Sequence, residues 1–298
     1  MISIIISSVN EVLLKNIKIN VAETIGVEHE IIAIDNSKGE KGICEIYNLG
    51  AKLAKYDVLC FMHEDIKIHT LNWGEVVRHT FHDNKKLGLI GIAGSQYKSL
   101  TPSGWHCYGI DAEIQYFNII QNYKFSKKEK STEYSNPTAV KLAKVVCIDG
   151  VWFCCTREAV LSYPFDENLL KGFHGYDLDF ALGINQNYEV GVTFEVLIEH
   201  FSEGNFNKAW LSEILKVHAK WREKLPINLA QLPQNKILLE EKRAFRSILK
   251  RMWNEGFSIA AMHSLLWDSR RSKLMTVGLF VKIYSQLIKY VFKSRQSF

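Results

Sequence analysis

The chain has 298 residues, 47% hydrophobic and 23% charged, an ordinary globular composition that excludes a disordered, fibrous or low-complexity protein. Its net charge of +5 is unevenly placed: from Ile227 to Phe298, thirteen Lys/Arg against four Asp/Glu leave the tail at +9 and the rest at −4. No Arg/Lys stripe interleaved with aromatics precedes the tail, so no nucleic-acid partner is expected.

Residues 1–8 (MISIIISS) predict an edge-to-core strand, ending in Ser7, Ser8, Val9 and Asn10. Glu11–Thr24 carries Val12, Leu13, Ile17 and Val21 at helical spacing. A second strand over 30–34 closes on Asp35-Asn36-Ser37, and a polar loop over 38–42 leads to a helix over 43–55 with Ile46, Leu49 and Leu53 on one face. Val58–Met62 is an apolar run of strand length that turns abruptly polar at His63, Glu64 and Asp65. A continuous hydrophobic run is the pattern of a strand covered on both faces, common in parallel sheets. This strand-helix-strand-helix-strand opening is a doubly wound α/β unit. No G-x-G-x-x-G follows the first strand, which excludes a standard dinucleotide fold.

Further on, the pattern predicts a helix over 71–84 and a strand over 87–93. Residues 94–108 read as irregular, and 111–137 as a loop or surface excursion. A strand over 144–148 leads to Asp149-Gly150-Val151-Trp152, then a short helix over 157–161. Phe173 to Phe180 leads into a helix through about residue 187, a strand over 189–198 ends at Glu199-His200, and a helix over 206–224 is closed by Pro226. Six cysteines (Cys44, Cys60, Cys107, Cys147, Cys154, Cys155) show no zinc-type pairing, and several lie in apolar runs. They read as buried thiols of a reducing cytoplasm. The N-terminus lacks a basic n-region and cleavage site, and no apolar run is long enough to span a bilayer.

Five strand ends or turns carry polar groups: 7–10, 35–37, 63–65, 149–150 and His200. In open α/β sheets ligands bind outside the carboxyl ends of the strands. Carboxylates and imidazole gathered there suit a divalent metal meeting a phosphate. In combination and order, the strings IIISSVN, AIDNS, EIYNLGAKLAKYDVLCFMHEDI, GIAGS, VCIDGVWFCCTRE, FHGYDLDFAL and IEHFSEG resemble the GT-A glycosyltransferases of family 2, in particular the bacterial branch with a histidine opening the metal motif. The resemblance covers about residues 1–221.

It implies a GT-A fold, a Rossmann-like mixed α/β sheet flanked by helices, over 1–225, with a basic, amphipathic helical extension over 226–298. It implies a metal-dependent, inverting transfer of a sugar from a nucleotide-sugar donor, UDP-linked, to a glycan or lipid-linked acceptor in surface polysaccharide synthesis. Mn²⁺ or Mg²⁺ is the implied cofactor. Asp35 would bind the base, with Ser7, Asn10 and Ser37 near the nucleotide; an Asx-turn explains the DNS string equally. Asp65 matches the metal-binding acid of the DxD motif. His63 replaces its first aspartate and stands near the metal, ribose or diphosphate, and Glu64 is the middle residue. His200 matches the late histidine that completes the metal site; a strand cap is its structural alternative. Asp177 matches the acceptor-activating base, with Tyr176 in place of the usual Glu, and Asp179 is its companion acid, expected toward the sheet or on a basic side chain. Helix N-terminal acids explain both equally, and that placement predicts a lowered Asp177 pKa. Asp149 and Gly150 would line the donor sugar and acceptor groove. Trp152 and Trp105 either stack on a sugar or are buried.

In the tail, 238–253 and 274–292 show helical apolar spacing. Lys282 and Lys289 lie opposite Phe280, Ile283, Tyr284, Leu287, Ile288 and Val291. Such a helix either lies on an anionic membrane surface or packs on the catalytic domain or a second subunit as a homo-oligomer. The expected location is cytoplasmic, peripheral on the inner face of the membrane. Two other functions suit an α/β chain of this kind. A nucleotidyltransferase would want a glycine-rich basic phosphate loop, which Ser8-Val9-Asn10 is not. A non-catalytic partner subunit would explain the departures at His63 and Tyr176.

Overall fold

The computed structural model describes residues 1–106, 112–124 and 128–295. Its first half is the expected α/β winding: β1 (Ile2–Ser8), α1 (Glu11–Thr24), β2 (His29–Asp35), α2 (Ile43–Leu53), β3 (Val58–Met62), β4 (Ile66–Ile68), α3 (Trp73–Asp83) and β5 (Leu87–Gly91). Then come β6 (Ala93–Ser95), β7 (Tyr97–Lys98), β8 (Gln115–Gln121), β9 (Ser131–Ser135), β10 (Leu142–Val145), β11 (Cys147–Ile148), β12 (Trp152–Thr156), α4 (Arg157–Ser162) and α5 (Tyr176–Ile184). The chain closes with β13 (Glu189–Thr193), β14 (Ile198–His200), α6 (Lys208–Trp221), β15 (Ile227–Asn228), α7 (Gln234–Asn254), α8 (Ile259–Ser269) and α9 (Val277–Arg295).

The main sheet runs β10-β13-β5-β12-β3-β1-β2. β2, β1 and β3 are parallel, and β12 is inserted antiparallel between β3 and β5. The central strands β1, β3, β5 and β12 are covered on both faces and are largely apolar. Ile4, Ile6, Cys60 and Met62 pack with Trp73 and Val77. Ile5, Leu59, Phe61 and Phe153 pack on the opposite side with Tyr47, Phe165 and Phe180. Phe61 and Phe153 stack at 5.2 Å.

Several expected elements are corrected. The 111–137 stretch is not simply a surface excursion: β8 pairs with both β6 and β14, and β9 pairs with β8. Tyr116 and Gln115 are buried there, whereas 111 and 125–127 lie outside the described residues. Residues 94–108 contain β6 and β7, and the segment after Trp152 forms β12 before the helix. Apolar runs expected as single strands are divided. Leu142–Val145 belongs to the main sheet and Cys147–Ile148 to a second sheet, β11-β6-β8-β14-β4. The chain changes sheets at Val146, whose N–H donates to Ser95 O at 2.8 Å. The 87–93 and 189–198 runs divide likewise. Five of the six cysteines are described, all buried; Cys107 lies outside the described residues.

The C-terminal helices join the main core. Phe245, Leu249, Met252, Met262, Leu266, Ile283 and Leu287 share one cluster with Phe153 and Phe180. Of the two alternatives open for the apolar side of this helix, Ile283 and Leu287 take packing on the catalytic domain. Glu241 of α7 is 1% exposed and accepts from Leu100 N, Thr101 N, Thr101 Oγ1 and Tyr97 Oη at 2.6–2.9 Å. Among the described residues no helix is long and apolar enough to cross a membrane.

Candidate active site

Three polar turns converge because the elements that carry them end side by side. At the end of β3, His63 N donates to Val151 O at 3.0 Å. β14 runs antiparallel to β4, which puts His200 opposite Ile66 and so beside Asp65. One side-chain ligand atom from each of His63, Asp65 and His200 lies within 4.8 Å of the others. Asp65 Oδ1 is 3.9 Å from His63 Nδ1 and 3.7 Å from His200 Nε2. Its Oδ2 accepts from Ser202 Oγ at 2.7 Å, and its carbonyl accepts from Phe201 N at 3.0 Å.

The hydrogen bonds around the two rings assign their tautomers. Tyr176 is buried, and its hydroxyl donates to Gly150 O at 3.1 Å, a carbonyl that can only accept. The same oxygen, 3.0 Å from His63 Nε2, therefore accepts from an Nε2–H. The Nδ1 lone pair then faces Asp65. Likewise His200 Nδ1 lies 3.4 Å from Gln121 Oε1, an acceptor, which leaves the Nε2 lone pair toward Asp65. An imidazole fixed through its second nitrogen is the usual form of a metal ligand. Burial first, then the charge of His200, pushes the His63 pKa down to about 4. His63 is thus neutral at pH 7, as a ligand must be. Two imidazoles and a carboxylate with pre-set tautomers fit a divalent cation of the Mn²⁺ or Mg²⁺ kind, and the imidazoles favour the transition metal.

Tyr176 links this cluster to a pair of acids. Gly150 can lie under it only as glycine: a Cβ there would meet Tyr176 Oη at 2.4 Å and Asp177 Cβ at 3.0 Å. Asp149 is held by Val151 N on Oδ1 at 2.9 Å and by Trp105 Nε1 on Oδ2 at 2.8 Å. Asp177, at the start of α5, is half-buried. Its pKa is raised to about 7, by burial first and by the charge of Asp149 second. The lowered value expected from the helix terminus is overturned, because desolvation and a like charge outweigh the helix dipole. Asp149 and Asp177 open into a cavity of about 490 Å³, bounded also by the 99–106 loop, α6 and α7.

Other expected site residues are placed elsewhere. Trp152 is fully buried with its ring edge-on to Trp73 at 5.9 Å, so it offers no face to a sugar. Asp179 is 1% exposed and bonded to Trp221 Nε1 at 2.8 Å and Lys220 Nζ at 2.9 Å. It anchors α6 to α5 on a basic side chain, as one of its two expected placements had it, and with no opening to an acceptor it is a structural companion of Asp177 and not a second catalytic acid. Glu64 turns toward β1, accepting from Ser8 Oγ at 2.7 Å and Val9 N at 3.0 Å. Asn10 caps α1, accepting from Val12 N and Leu13 N. Asp35 and Ser37 are exposed at the end of β2, where Asp35 accepts from Ser37 N at 2.8 Å, an Asx-turn that leaves one carboxylate oxygen free of that bond. Ser7 lies partly buried near the end of β1, paired with Ile34. Ser202, Gln121, Trp210 and Arg251 were not singled out as site residues by sequence. Ser202 stands within the quoted IEHFSEG string; the other three carry no motif.

An open α/β sheet with an imidazole-carboxylate cluster at its strand ends, next to an acid pair and a cavity, defines a group-transfer enzyme of the GT-A type. Residues 3–224 match the glycosyltransferase like family. The chain belongs to that family. Among solved structures, that of GalNAc-T7 with UDP, GalNAc and Mn²⁺ aligns at 12% identity and a TM-score of 0.50, over 78% of this chain and 51% of that one. The chain thus spans about half the length of that neighbour, whose likeness shows the shared fold. A197 from STIV aligns at 12% identity and a TM-score of 0.38, over 68% of this chain and 86% of that one. No curated protein matches the sequence.

Proposed function

We propose that this glycosyltransferase is metal-dependent and inverting, and that it moves a sugar from a UDP-linked donor to a hydroxyl of a glycan or lipid-linked acceptor in surface polysaccharide synthesis. The observation that carries the reading is the linked pair of clusters: His63, Asp65 and His200 on one side of Tyr176, Asp177 and Asp149 on the other. His63, Asp65 and His200 would hold Mn²⁺ or Mg²⁺, which when bound neutralises charge on a departing diphosphate. Asp35, exposed at the end of β2, would receive the base, with Ser37 and Ser7 close by. UDP and Mn²⁺ in the GalNAc-T7 structure support the choice of nucleotide and metal. The acceptor would occupy the cavity, where Asp177 takes the proton of its attacking hydroxyl. A base with a pKa near 7 is well matched to that task at neutral pH. Both oxygens of Asp149 are engaged, so it acts on Asp177 by charge and offers no second nucleophile. A single displacement inverts the anomeric centre.

The departures at His63 and Tyr176 are the features that would suit a non-catalytic partner subunit. They are hydrogen-bonded to each other at 3.0 Å, and that mutual fit favours a working site. A second apolar stripe on α9, formed by Val277, Val281, Ile288 and Phe292, is exposed together with Lys282 and Lys289. It supports a peripheral site on an anionic membrane surface, where lipid-linked acceptors reside.

Calorimetric titration with UDP, with GDP as control and with and without Mn²⁺, tests the reading. Mn²⁺-dependent UDP binding, lost in Asp65→Ala, is expected. Binding of neither nucleotide with Mn²⁺ or Mg²⁺ would overturn it.

A further inference from the structure

The wall of the cavity farthest along the chain comes from α7, beyond the family match that ends at residue 224. Ala244, Ser247, Ile248 and Arg251 line it. Arg251 lies over the Trp210 ring at 4.7 Å, and one guanidinium nitrogen donates to Phe206 O. Stacking and that carbonyl bond hold the planar group in place. Among the described residues it makes no ion pair with any carboxylate, and Glu255 one turn on acts on it by charge without a salt bridge. A guanidinium carries five N–H donors in a fork that matches a carboxylate or phosphate. The cavity lining therefore carries both the Asp149–Asp177 acid pair and, on α7, a guanidinium held by stacking and a carbonyl bond. Aromatic rings of Trp105, Phe206 and Trp210 also line it, and they suit the apolar faces of a sugar ring.

We infer that Arg251 selects the acceptor, and that the acceptor is a saccharide carrying an anionic group, a phosphate ester or a carboxylate, while its free hydroxyl meets Asp177. The inference rests on reading the cavity as the acceptor side of the glycosyltransferase. It makes α7, outside the stretch shared with the family, a specificity element. The volume of about 490 Å³ lies within the range of small-molecule sites.

Ligand-observed NMR on the full chain tests this, with the donor side saturated by UDP and Mn²⁺ so that added sugars report on the acceptor side. The probes are glucose 1-phosphate, glucuronic acid and glucose. At least one of the two anionic sugars is expected to bind about tenfold tighter than glucose, and which one does so separates phosphate from carboxylate. In Arg251→Gln that preference should vanish with the UDP affinity unchanged, and in Arg251→Lys it should partly return. Equal binding of all three sugars, binding of none, or a preference that survives Arg251→Gln would overturn the inference. UDP binding measured in the same samples keeps its failure distinct from failure of the donor site.

Discussion

Tyr176 and Asp177 are neighbours in sequence that serve opposite sides of the site. The Tyr176 ring packs near Tyr47 and Phe165, so Tyr176→Phe should fold normally while removing the acceptor of His63 Nε2–H. With His63 free to change tautomer, Mn²⁺ affinity should fall by roughly 10–100-fold, the range for a lost partner behind a metal ligand; Mn²⁺ titration followed by electron paramagnetic resonance would read it. Asp177→Asn should abolish turnover and leave Mn²⁺-dependent UDP binding intact. Asp177 must be ionised to accept a proton, and its pKa is raised to about 7, so kcat/KM should rise with pH through about 7. Asp149→Asn removes the like charge and should move that limb to lower pH. The stability effect has the opposite sense. The raised folded pKa favours the protonated native form, so this contribution is present below the unfolded pKa of about 3.9 and is lost as pH rises through about 7.

At the scale of elements, α2 lies against β1 because Gly50 allows it. A Cβ there would come 2.3 Å from Ile5 Cγ2 in the middle of a fully covered strand. Gly50→Ala is expected to destabilise the protein by about 1–3 kcal/mol, the usual effect of overpacking, seen as a lower urea midpoint at unchanged slope. Most helices were readable from their spacing: α1 matches its expected bounds and most others shift by a few residues, while α8 was not among the expected helices. The strands were less so. The apolar runs of 87–93 and 144–148 give no sign of where one sheet hands over to the other, since a strand buried on both faces looks the same in either. β12, WFCCT, was concealed by the polar turn before it and the helix after it. β8 was hidden because Gln115, Asn118 and Gln121 interrupt its apolar pattern; Asn118 donates to Phe194 O and Gln121 to Ser202 O, partners from distant segments.

Across the whole molecule, Glu241 ties the C-terminal helices to the loop that lines the cavity. Glu241→Ala would strip four donors of their acceptor, at a cost of about 3 kcal/mol or more. Thermal melting should show a clear loss of stability, and hydrogen exchange should show faster exchange at the Leu100 and Thr101 amides. A tail that folded and unfolded apart from the α/β body would show neither change in that loop. The basic charge and the 3.6-residue spacing of the tail were plain in the sequence. That its apolar side is used largely to complete the core, and that α7 walls the cavity, was not, because an amphipathic stripe does not say what it covers.

The α/β class was legible in the sequence itself, and the candidates at His63, Asp65, His200 and Asp177 came from its resemblance to the GT-A family. Polar residues just past an apolar run mark a strand end, and that much is local; His200 comes beside Asp65 only through the pairing of β14 with β4 in the second sheet. Only the tertiary structure decided how the candidates divide. Asp177 faces the cavity while Asp179, two residues on, is buried against α6, because a step of about 200° along a helix turns the second side chain away. Trp152 is sealed inside, Glu64 braces β1, and the pKa of Asp177 rises because Asp149 and the surrounding packing reach it from other segments. Orientation, desolvation and neighbouring charge depend on segments more than twenty residues away, and no local pattern encodes them.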